Sequence, residues 1–189
     1  MSSLLDPPPL PARAEALLQI LDSVLAPKCC AYVAGPLNSG RAYYERIASG
    51  DISPSVRADN QERLSEIVSA LRKRLAYPIF DSGLLRIPDW SGRDYSVFFI
   101  EVIRRYAREC WFLNGWEFSS GATKEFVFCC SIETPCFTES GGPLSIAEGR
   151  RLIGIAANFV HGLKLDDTKL RSREADLMLI GSLDTARLG

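Results

Sequence analysis

Short unbroken apolar runs alternate along this chain with stretches whose apolar residues recur every three or four positions. The runs are CCAYVAGPL (29–37), YPIFD (77–81), CWFLNGW (110–116) and PCFTES (135–140). Their lengths and their Gly, Pro or Ser boundaries suit buried strands. After the first run comes NSGRAYYERIASGDISPS, read as a long loop. A helix then starts near Ser55, where Val56, Leu64, Ile67, Val68, Leu71 and Leu75 form one stripe. A second amphipathic helix spans 94–109 with Asp94 as its N-cap. A third, ATKEFVFCCSIET, follows the 110–116 run, and a last one covers 145–163. The stretch KLDDTKLRSREAD is charged throughout and reads as a solvated tail.

Strands alternating with helices predict an α/β fold. The expectation is a single domain over 29–189, with a parallel sheet of four or five strands flanked by helices, of the flavodoxin or Rossmann kind. Residues 1–28 read as an extension. DPPPLP excludes helix or sheet interior, because proline lacks the N–H and fixes φ. The short amphipathic helix ARAEALLQILDSVLA after it is expected to pack on the main body.

Composition narrows the function. The 22 basic and 23 acidic residues give a net charge of −1, so nothing points to a nucleic-acid polymer or an anionic membrane. No apolar run reaches the ~18 residues of a membrane helix. The N-terminus lacks a charged segment followed by an apolar stretch, so no secretory signal is read and a cytoplasmic location is the expectation. Six cysteines occur without a CxxC pair and read as reduced, buried thiols. A single histidine, His161, removes mechanisms built on several histidines, and no metal or other cofactor is expected.

Ligands of parallel sheets bind at the carboxyl ends of the strands. Three loops leave those ends. The first, AGPLNSGR, offers Gly35, Pro36, Leu37, Ser39, Gly40 and Arg41, whose small residues and donors suit a phosphate or sugar hydroxyl but are also ordinary turn material. The second follows Asp81 and carries Trp90, either a ring that stacks on a base or a packed loop aromatic. The third, LNGWEFSSGATKEF (113–126), holds Ser119 and Gly121 and delivers Glu125 onto the first turn of a helix. Glu125 is either a dipole-complementing surface residue or a catalytic carboxylate. Glu101, in the most apolar part of its helix, is either a second active-site acid or a partner of Arg104 or Arg105.

YVAGPLNSG after the first strand, CWFLNGWEFSSGATKE after the third, and the spacing from Glu101 to Glu125 resemble the nucleoside 2-deoxyribosyltransferase-like family. That family includes nucleoside deoxyribosyltransferases and nucleoside-monophosphate N-glycosidases, and the likeness covers roughly residues 29–137. The resemblance implies that Glu125 is the nucleophile at the anomeric carbon. It also implies a second carboxylate, usually Asp, at the position of Glu101, with Asp94 as a nearby substitute. Ser119 stands six residues before the nucleophile, where transferases of free nucleosides carry a carboxylate and monophosphate hydrolases carry Ser. The expected activity is therefore hydrolysis of the N-glycosidic bond of a nucleoside 5′-monophosphate. The alternatives are a deoxyribosyltransferase of free nucleosides and a catalytically inactive nucleotide-binding module. The family also implies a homodimer or larger homo-oligomer, with the apolar stripe YSVFFIEVI either a contact face or simply core.

Overall fold

The computed structural model describes residues 10–51 and 55–187. Four strands, β1 (Cys30–Ala34), β2 (Ile79–Asp81), β3 (Ala107–Phe112) and β4 (Cys136–Thr138), form one all-parallel sheet in the order β2-β1-β3-β4. Among the described residues seven α-helices flank it: α1 (Ala12–Val24), α2 (Arg41–Ser49), α3 (Ser55–Arg74), α4 (Gly92–Tyr106), α5 (Ser120–Ser131), α6 (Ile146–Gly162) and α7 (Thr168–Arg187). The single-domain α/β architecture expected from the alternation is the one observed. The proline-rich residues 6–9 lie outside the described part.

Strand β1 is buried at all five positions, and its neighbours β2 and β3 lie on opposite sides of it. Crossovers of one handedness leaving in opposite directions put their helices on opposite faces. Accordingly, Ala31 and Val33 pack with Leu64, Val68 and Leu71 of α3. Cys30, Tyr32 and Ala34 face a larger core built from α1, α4, α5, α6 and α7. The apolar stripe of α4 belongs to that core: Val97 to Ile103 are all buried within the chain, so the proposed contact face is interior.

Several boundaries moved for identifiable reasons. Helix α4 starts two residues before the predicted 94, because Ser91 caps it and Asp94 closes a capping box back onto Ser91. Strand β3 starts at Ala107, inside the predicted helix, since Ala107 pairs with Cys30. Part of the predicted loop after β1 is α2, a nine-residue helix with no buried residue. The predicted solvated tail is largely α7, which buries Leu170 and Leu177. The N-terminal extension does pack on the body. Ala14 and Leu18 are fully buried, and the Tyr106 hydroxyl donates to the Leu18 carbonyl at 3.1 Å.

Candidate functional site

The carboxyl ends of β1, β2 and β3 open into a cavity of about 610 Å³. It sits where the strand order reverses about β1, the place where open α/β sheets hold their ligands. Gly35, Leu37 and Ser39 from the loop after β1 line it, as do Ser119, Gly121 and Glu125 after β3. These six residues, singled out in the sequence, do converge.

Glu125 is only 7% exposed, on the first turns of α5. Ser119 caps that helix by accepting from the Ala122 N–H, and the Thr123 hydroxyl donates to the Ser119 carbonyl at 2.9 Å. The cap fixes the helix start and so the direction in which Glu125 points. Burial pushes the Glu125 carboxyl up to about 7, against lowering contributions from the Tyr32 hydroxyl and the Lys124 ammonium. Tyr32 rises from β1 beneath it, stacked on Phe80 at 5.7 Å, and its buried hydroxyl has no hydrogen bond of good geometry. The phenol's pKa is raised, by burial first and then by the negative charge of Glu125. Each group shifts the other although no well-formed bond joins them.

The cavity lining is mixed in character. Asn38, Ser39, Arg57, Ser120 and Lys169 contribute polar groups and two cations, Asp166 a carboxylate, and the start of α5 lies in the wall. Arg57 donates to the Asn38 side chain at 2.7 Å, while its buried Nε has no partner. Leu85, Tyr95 and Phe99 line it as well, two aromatic faces and an aliphatic side chain. The cations and donors suit an anion, and the aromatic faces a flat apolar ring.

Seven sequence candidates do not line this cavity. Glu101 lies about 200° around α4 from Phe99, whereas the cavity face carries Gly92, Tyr95, Ser96 and Phe99. Its carboxylate meets Arg104 at 3.3 Å and Arg105 at 3.5 Å. Asp94 is spent in the capping box and does not substitute for it. Arg41 pairs with Glu45 at 2.9 Å and lies over the Phe159 ring. Asp81 accepts from the Gly83 N–H at 2.9 Å and shapes a turn. Trp90 packs edge-on against Tyr95 and Phe98, the packed-aromatic alternative. Pro36 and Gly40 shape the first loop: Gly40 has φ 109°, which strains any other residue, and a Cβ there would sit 3.4 Å from Pro36.

Sequence reasoning missed Tyr32, Arg57, Ser96 and Lys169. Tyr32 had a usable signal, a hydroxyl inside an otherwise apolar strand. The cations had none, because only the fold carries α3 and α7 to this rim. Among the described residues no cluster of His, Cys, Asp and Glu has the arrangement of a metal site, and no helix is long and apolar enough to cross a membrane. None of the six cysteines forms a disulfide, and Cys110 and Cys129 are in buried sulfur contact at 3.3 Å. No family model, curated protein or solved structure matches the chain.

Proposed function

We propose that this protein is an N-glycosidase of nucleoside 5′-monophosphates, with Glu125 as its nucleophile. The observation that carries the reading is a buried carboxylate in a cavity whose lining also holds two cations, hydroxyls and aromatic faces. A nucleotide has a part for each: phosphate, sugar, base. In this reading the phosphate takes Arg57, Lys169, Ser39 and the start of α5, the base takes Tyr95 and Phe99, and the sugar takes Glu125. Cleavage of an N-glycosidic bond passes through an oxocarbenium-like state, which a carboxylate stabilises and traps. Ionised Glu125 attacks, so turnover is expected to rise with pH through about 7 on the acid limb. The Tyr32 hydroxyl favours the ionised form of Glu125, the form that attacks.

The preference for a phosphate rests on charge. Arg57 and Lys169 replace Arg41 in that role, against Asp166 as the one lining carboxylate besides Glu125, and no carboxylate stands at position 119. Ser119→Asp keeps the helix cap, since Asp caps as well as Ser, and adds a negative charge to the cavity wall. It should raise KM for a nucleotide at least about tenfold while changing its nucleoside little. The decisive experiment incubates the protein with a panel of nucleotides and the matching nucleosides, with chromatography for free base. Base released faster from the nucleotide supports the reading. Faster release from the nucleoside replaces it with the transferase reading, and thermal stabilisation by a nucleotide without release replaces it with a binding module.

A further inference from the structure

With Glu101 outside the cavity, the reaction needs another source for the proton that a departing base takes up. One constellation supplies it. Ser96 lines the cavity from α4, on the same face as Tyr95 and Phe99. Behind it, the Lys124 ammonium donates to the Ser96 hydroxyl at 2.8 Å. Lys124 is not itself a wall residue, so it reaches the cavity through that hydroxyl. We propose that Ser96 and Lys124 form the proton-delivery pair for the leaving base, with Ser96 the catalytic residue that touches it and Lys124 the positioning residue that recharges Ser96. The proposal rests on the glycosidase reading above.

The step balances as follows. A Glu125 carboxylate oxygen bonds to the anomeric carbon as the carbon–nitrogen bond breaks, and its electron pair stays with the base. The base takes the Ser96 hydroxyl proton, and Ser96 takes one from the Lys124 ammonium, leaving a neutral amine. Water then displaces Glu125 from the sugar, and the proton it sheds returns to Lys124. The surroundings favour this traffic. Lys124 faces Arg93 of α4 and Arg173 of α7, the latter paired with Asp176 at 2.8 Å, besides its neighbour Glu125. Burial, and after it the charge of Arg173, lowers the amine's pKa, which makes the ammonium a better acid. As Glu125 forms its bond it loses the negative charge that held the proton on Lys124, so the two halves of the step assist each other.

The competing role is a tether between α4 and α5, and two substrates separate them. A nucleoside 5′-monophosphate must have its base protonated, whereas the matching 4-nitrophenyl glycoside 5-phosphate releases a stable anion unaided. Ser96→Ala, Lys124→Met and Lys124→Arg are each expected to slow base release about a hundredfold and nitrophenolate release by no more than about threefold. Lys124→Arg is the sharpest variant, because a guanidinium keeps the charge and hydrogen bond but yields no proton. The basic limb of the pH–rate profile for base release should disappear in Ser96→Ala. Rescue of base release by Lys124→Arg, or equal slowing of both substrates, would overturn the pair. So would a wild-type protein that frees nitrophenolate but no base, which leaves the glycosidase chemistry standing. Wild-type protein inert toward both substrates sinks the glycosidase reading itself, and the pair with it.

Discussion

Two buried glutamates on successive helices meet opposite fates. Glu101 is 6% exposed and Glu125 7%, so each carries a comparable burden of lost hydration. Glu101 is answered by Arg104 one helical turn on and by Arg105, which reaches on to Asp22 of α1 at 3.1 Å. Glu125 has no arginine. Its carboxyl is met by a phenol and, at longer range, by an ammonium engaged with Ser96. Compensation by arginine turns a buried carboxylate into a rivet between α4 and the N-terminal helix. Without it the carboxyl is pushed up to about 7, poised to change charge in the neutral range. The two carboxylates share their burial and differ in their partners.

The largest test of that contrast is turnover. Glu125→Gln should reduce base release by at least about a hundredfold while retaining nucleotide-induced thermal stabilisation, and Glu101→Gln should keep it within about threefold. A Glu101→Gln variant as inactive as Glu125→Gln would erase the distinction. The next test is stability against pH. The folded state holds the Glu125 proton up to about 7, the unfolded chain only to about 4.5. The resulting stabilisation is fully present below 4.5 and lost as pH rises through 7. Relative to Glu125→Gln, the wild type should lose up to about 3 kcal/mol between about pH 4 and pH 8 in denaturant titrations. Parallel curves for the two proteins would show that the carboxyl is hydrated after all.

The ordering then reverses at the other glutamate. Glu101→Gln should destabilise the fold by about 1–3 kcal/mol at neutral pH, because two arginines lose their counter-charge. Smallest is Asp22→Asn at the exposed end of the network, about 0.5 kcal/mol, since solvent screens the Arg105 pair there. A larger loss at Asp22 than at Glu101 would mean that the arm, not the buried carboxylate, anchors α4.

The contrast was only half legible in the sequence. SSGATKE after an apolar run announced a capped helix with a carboxylate at a strand end, and Glu125 lies there. Glu101 in SVFFIEVI gave the same impression of a costly buried charge. Its helical phase relative to Phe99 decided otherwise, and that phase has no meaning until one knows which α4 face meets the cavity. Helix α2 escaped because it is short and buries no residue fully, so Tyr43, Tyr44 and Ile47 at helical spacing were too few to stand out in a loop-like stretch. In α7, Leu170 and Leu177 are two buried positions among charges, too sparse a stripe to outweigh KLDDTKLRSREAD. The wall residues Arg57 and Lys169 therefore depended wholly on tertiary placement.

The parallel pairing of β1 with β3 has a kinetic consequence. Ala31 lies opposite Glu109, so α2, α3, β2 and α4 must all be threaded before that ladder closes. Tyr32 and Glu125 ride on the two sides of it. Non-local pairing of this kind is slow, because loop-closure entropy is spent before any contact repays it. Helices α3 and α5 form from local contacts and should regain their circular dichroism early after dilution from denaturant. The neighbourhood that lifts the Glu125 carboxyl to about 7 exists only once the long-range ladder has closed. Proton uptake at neutral pH, followed with an indicator dye during refolding, should therefore trail the helical signal and mark the moment when the chain's distant halves meet.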